Sequence, residues 1–144
     1  MINNLISQLF RRVEESHNIK EPEAFAALMV RIARADDEYL QSERDQIEQL
    51  LAERYNLSPF EAVNVRSKGE ELELSSADVV RFTRNIKDAL PPERRSEILE
   101  ALWTVVLADS NRDPHEDAQM RLVSNLLGVS DIEHAKARIR ADRR

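Results

Sequence analysis

Apolar residues recur along this chain at three- and four-residue spacing almost from end to end, and that period belongs to helices. Ile6, Leu9, Phe10 and Val13 share one face of a helix predicted over 2–17, with His17 turned to solvent near its end. Pro22 opens a second helix, at a position where its missing N–H costs nothing. Phe25, Ala26, Leu28, Met29, Ile32 and Ala33 make that helix apolar on most sides, so it should be central and should end near Asp36. Ser42 with Asp45 three residues on reads as the cap of a third helix reaching about Tyr55, with Ile47, Leu50 and Leu51 inward. Ser58-Pro59-Phe60-Glu61 is a stronger start signal: a capping Ser, Pro at the first helical position and Glu at the third. This fourth helix carries Ala62, Val63 and Val65, and Leu72 and Leu74 are expected to tie its end to the core. Gly69 reads as an end or a kink within it.

Ser75 or Ser76 is expected to cap a fifth helix with Val79, Phe82, Ile86 and Leu90 inward. Pro91-Pro92 stops it and starts a sixth. That helix holds Ile98, Leu99, Leu102, Trp103, Val105, Val106 and Leu107, the most apolar stretch of the chain, and Trp103 reads as core. Glu116 opens a seventh helix, with Met120, Val123, Leu126 and Leu127 inward and Gly128 as its C-terminal cap. Ser130-Asp131-Ile132-Glu133 is a capping box for a last helix to about Ala141.

Composition sharpens this into a fold class. Two glycines in 144 residues are too few for the hairpins of a sheet protein. The expectation is an all-α, compact multihelical single domain, 1–144, of about seven to eight helices. No cysteine is present, so disulfide and thiolate chemistry are excluded. No signal peptide and no apolar run of membrane-spanning length can be read, which points to a soluble cytoplasmic protein without membrane insertion. A net charge of −6 opposes nucleic-acid binding. The basic tail Arg138, Arg140, Arg143 and Arg144 reads as a solvated helix end.

The two halves can be laid over each other by a shift of 73 residues. Ile6 then meets Val79, Leu9 meets Phe82, Met29 meets Leu102 and Val30 meets Trp103. After one deletion, Ser58 and Glu61 meet Ser130 and Glu133. We read an internal duplication of two four-helix units, repeat one 2–74 and repeat two 75–142. The apolar helices 22–36 and 93–109 should pack against each other in the core.

The same shift superposes two acidic turns. Asp36 falls on Asp109 and Glu43 on Glu116, each pair keeping Ala-Asp and then Glu seven residues after the Asp. Carboxylate and amide oxygens suit hard divalent cations such as calcium, magnesium or manganese. The second turn is the richer, with Asp109, Asn111, Asp113 and Glu116. Asp109-x-Asn111-x-Asp113 opens like an EF-hand loop, but Pro114 stands where that loop needs Gly and Met120 where it needs Glu. A different site, closed by Glu116, is the expectation. The competing reading makes the same carboxylates helix caps, stabilised by N-terminal N–H groups. His115 beside Glu116 has no partner His at helical spacing. No Ser-His-Asp order, phosphate loop or zinc motif appears, so no catalytic residue is assigned and no enzyme is expected.

The stretch Ala27-Leu28-Met29-Val30-Arg31-Ile32-Ala33-Arg34-Ala35-Asp36-Asp37-Glu38-Tyr39-Leu40-Gln41-Ser42-Glu43, with its second copy at Ala108-Asp109 to Glu116, resembles the TerB family of tellurite-resistance proteins. The resemblance covers roughly residues 5–140. It implies a compact all-α fold and a bacterial cytosolic protein linked to tellurite or general chemical stress. It also implies divalent-metal binding by Asp36, Glu43, Asp109 and Glu116. The family's Gly after Asp is Asp37 here and Ser110 in the second copy, which puts a positive-φ turn under strain. The alternative function is a protein-interaction or scaffold domain, monomer or homodimer, whose acidic turns hold no metal.

Overall fold

The computed structural model describes residues 4–7, 19–76, 78–108 and 114–144, and every regular element among them is helical. Residues 4–7 form one helical turn, with Leu5 and Ile6 exposed. Leu9, Phe10, Val13 and His17 of the helix expected over 2–17 lie outside the described residues. Seven longer helices follow: α1 (Glu21–Ala33), α2 (Gln41–Tyr55), α3 (Pro59–Ser76), α4 (Val79–Ala89), α5 (Arg95–Ala108), α6 (Pro114–Leu127) and α7 (Asp131–Asp142). Short 3-10 turns precede α5 at Pro92–Arg94 and follow α1 at Arg34–Asp36. No described helix is long and apolar enough to cross a membrane.

The most apolar helix of each half is the most buried. Ala24 through Val30 of α1 are sealed from solvent without interruption, and Ile98, Leu99, Leu102, Trp103, Val105 and Val106 are buried on α5. The two helices touch, as their apolar character requires. α1 packs most extensively on α3, and α5 on α7, while α4 lies across α1 and α6. Phe82 and Ile86 of α4 and Ile47 and Leu51 of α2 complete one continuous core.

Gly69 neither ends nor kinks α3, which runs unbroken to Ser76. Its role is a close approach to α1. A Cβ at position 69 would lie 2.5 Å from Ala26 Cβ, 2.8 Å from Ala26 C and 2.9 Å from Ala27 N. The absent side chain therefore sets the spacing of the principal helix pair.

The caps divide into expected and corrected ones. Ser58 and Glu61 form the reciprocal box, Glu61 accepting from the Ser58 N–H at 3.0 Å and Ser58 Oγ from the Glu61 N–H at 3.2 Å. Ser130 Oγ accepts from the Glu133 N–H at 3.2 Å. Neither Ser75 nor Ser76 caps α4, because both belong to the last turn of α3; Asp78 accepts from the Arg81 N–H instead. Nor does Ser42 cap α2, which starts at Gln41 with Leu40 at the cap position. Leu74 points outward at 69% exposure, leaving Leu72 as the contact that ties α3 to the core.

α2 and α6 end alike. Asn56 (φ 54) and Gly128 (φ 73), 72 positions apart, both take the left-handed conformation. In each case the next residue, Leu57 or Val129, donates its N–H five residues back, to Ala52 O at 3.1 Å or Ser124 O at 3.0 Å. The basic tail is not simply solvated. Arg140 pairs with Glu100 of α5 at 3.3 Å and Arg144 with Glu53 of α2 at 2.8 Å.

Candidate functional site

Only part of the six-residue ligand set falls within the described structure. Asp109, Asn111 and Asp113 lie outside the described residues, and the side chain of Asp36 does too. Glu43 and Glu116 are placed, and they occupy one helical position. Each is the third residue of its helix, after Gln41-Ser42 in α2 and Pro114-His115 in α6. At that position a carboxylate faces the N–H groups that the first turn leaves without intrahelical acceptors.

The surroundings of the two differ. Glu43 is half-buried, and one of its oxygens accepts from the Leu40 N–H at 3.2 Å, a capping contact. Glu116 is only 3% exposed. It lies beside exposed His115 and half-buried Asp117. No cluster of three or more His, Asp or Glu side chains able to hold a metal occurs among the described residues.

The first turn shows what its backbone demands. The chain leaves α1 through Arg34–Asp36 and reverses at Asp37, whose N–H donates to Arg34 O at 3.0 Å. Asp37 has φ 62, so the left-handed position expected after Asp36 is present here and filled by Asp. Asp accepts this region more readily than most residues, at a cost of order 1 kcal/mol. The side chains of Asp37 and Glu38 are exposed.

Residues not anticipated as part of the site fasten this turn to α3. The Tyr39 hydroxyl donates to Glu70 at 2.8 Å, and its ring lies between the Arg34 and Arg44 guanidiniums, 5.1 and 4.7 Å from the centroid. Burial, then the Glu70 carboxylate, pushes the Tyr39 hydroxyl well above its usual pKa, so it stays a donor. Glu70 also pairs with Arg66 and, at 3.9 Å, with Arg44, while Arg66 reaches Glu48 at 2.6 Å. Glu73, almost fully buried, holds Arg34 at 3.3 Å and Arg31 at 3.8 Å. The signal was the spacing of Arg66, Glu70 and Glu73 along one side of α3. Their distant partners on α1 and α2 had no sequence signature. The first turn is therefore a built corner, with one oxygen of Glu43 in a capping contact.

Trp103 is core, as its helix implies, and its indole Nε1–H donates to His134 Nε2 of α7 at 2.9 Å. Burial, with a contribution from the Arg121 charge, holds the His134 imidazole below its ordinary pKa against the pull of Asp131.

The family model described as tellurite resistance protein TerB matches residues 22–139, most of the chain. No curated protein and no solved structure matches the chain.

Proposed function

This chain belongs to the TerB family, and we propose that it serves the cytoplasmic response to tellurite or related chemical stress as a non-enzymatic module holding a divalent cation at its second acidic turn. The observation that carries this reading is the burial of Glu116 at the third position of α6, directly after the ligand-rich residues 109–113. A carboxylate so placed supplies a hard oxygen donor of low mobility to calcium, magnesium or manganese. Asp109, Asn111 and Asp113 would supply the remaining oxygens. The first turn is the structural counterpart, its Glu43 engaged with Leu40.

A melting series on the full chain tests this. A cation bound only by the native state adds RT ln(1 + [L]/Kd), about 2.7 kcal/mol at a hundredfold excess over Kd. Millimolar calcium, magnesium or manganese should raise the melting temperature, and Asp109→Asn with Glu116→Gln should abolish the rise. The absence of a shift with all three ions overturns the proposal. A second reading, a docking module without metal, draws on Phe60 and Val63, exposed three residues apart at the start of α3. It requires a partner whose capture survives chelator and is lost in Phe60→Ser.

A further inference from the structure

The single tryptophan of the chain borders a cleft of about 480 Å³ between α5, α6 and α7. We propose that this cleft binds a small organic carboxylate, gripped by the Arg138 guanidinium and by the Nδ1–H of His134. The inference is independent of the cation at the acidic turn.

Three observations converge on it. The Arg138 guanidinium lies over the Trp103 ring, 4.6 Å from its centroid. A guanidinium lying on an indole is oriented in advance, with its N–H edge still available for two parallel hydrogen bonds to a planar carboxylate. His134 spends Nε2 as the acceptor for Trp103, so in the neutral ring the proton sits on Nδ1 and adds a donor to the cleft. Arg31, Arg34, Arg44, Arg54, Arg66 and Arg140 each have a carboxylate within ion-pair distance. Arg138 and Arg121, both bordering this cleft, have none among the described residues.

The remaining lining selects the class of anion. Ala135 and the half-exposed side of Ile139 form an apolar wall, which rewards a ligand with a hydrocarbon end over an inorganic ion. Asp117 and Asp131 also border the cleft, each in the first turn of its helix. They oppose an anion and keep its affinity modest. This gives the proposal a sign that a purely structural role for the same residues lacks: removing a cleft arginine and removing a cleft aspartate must act in opposite directions.

Benzoate, acetate and inorganic phosphate are titrated separately into the full chain at pH 7.5. Binding is followed by Trp103 fluorescence and independently by calorimetry. Benzoate should give a saturable response tighter than acetate. Arg138→Gln should weaken it by roughly tenfold or more, the scale of one charge-assisted contact. Asp131→Asn should tighten it severalfold, with helicity unchanged in both variants by circular dichroism. No saturable response to benzoate overturns the proposal. So does phosphate binding as well as benzoate, or Arg138→Gln and Asp131→Asn shifting the affinity in the same direction.

Discussion

Replacing Gly69 by Ala is the sharpest probe of how this fold is held. In an ordinary helix interior the change adds about 0.5–1 kcal/mol of stability, because glycine has the most conformational freedom to lose. Here the new methyl would meet three atoms of α1 at 2.5, 2.8 and 2.9 Å, all inside normal contact. Two of the three are backbone atoms, which cannot swing aside as a side chain can. Relief requires α1 and α3 to separate, loosening the most extensive helix contact in the molecule. Overpacking of this kind costs typically 1–3 kcal/mol, and backbone contact places it at the upper end. The net expectation is a loss of about 2 kcal/mol, or roughly 4–8 °C in melting temperature for a chain of this size. Urea denaturation followed by helical circular dichroism measures it, with exposed Ser67→Ala in the same helix as a control near zero. Pairing Gly69→Ala with Ala26→Gly removes the 2.5 Å contact and leaves the other two, so a double-mutant cycle should show partial recovery. A Gly69→Ala protein as stable as the parent, or more so, would falsify the close-approach argument.

Two further outcomes are expected. At the left-handed helix ends, Asn56→Gly should leave stability equal or raise it by a few tenths of a kcal/mol, whereas Gly128→Ala should cost about 1 kcal/mol; thermal melts of both variants check the pair. At His134 the folded-state pKa is depressed, mainly by burial, so the unfolded chain takes up the proton first. The stability it contributes is complete above the unfolded value, about 6.5, and declines as pH falls from there toward the folded value. Urea titrations from pH 8 to pH 5 should show the parent losing stability relative to His134→Gln; parallel curves would refute the assignment.

The helices were legible because burial and period are linked. The runs around Phe25 and Leu102 are apolar on most sides, and they are the buried centre. Proline and serine at Ser58-Pro59 carry their own geometry, and the box formed as read. Where two local solutions competed, the pattern could not choose. Leu40-Gln41-Ser42-Glu43 offers both a hydroxyl cap and a third-position carboxylate, and the backbone takes the carboxylate. Ser75, Ser76 and Asp78 pose the same choice, decided by how far α3 continues. Gly69 was misjudged because its reason lies on another helix, 43 positions earlier at Ala26. In the candidate site, the common helical position of Glu43 and Glu116 follows from spacing alone. Their unequal burial does not, since it depends on what packs over each turn.

The corner at Tyr39 also bears on how the protein responds to heat. Arg31 and Arg34 meet Glu73 there, Arg44 and Arg66 meet Glu70, and Arg66 meets Glu48, two ion-pair groups joined through Tyr39 across α1, α2 and α3. Withdrawing charges from water becomes less unfavourable as temperature rises, while the apolar contribution per unit area levels off. The share of stability carried by this corner therefore grows on warming, and the turn after α1 should be among the later parts of the helix framework to loosen.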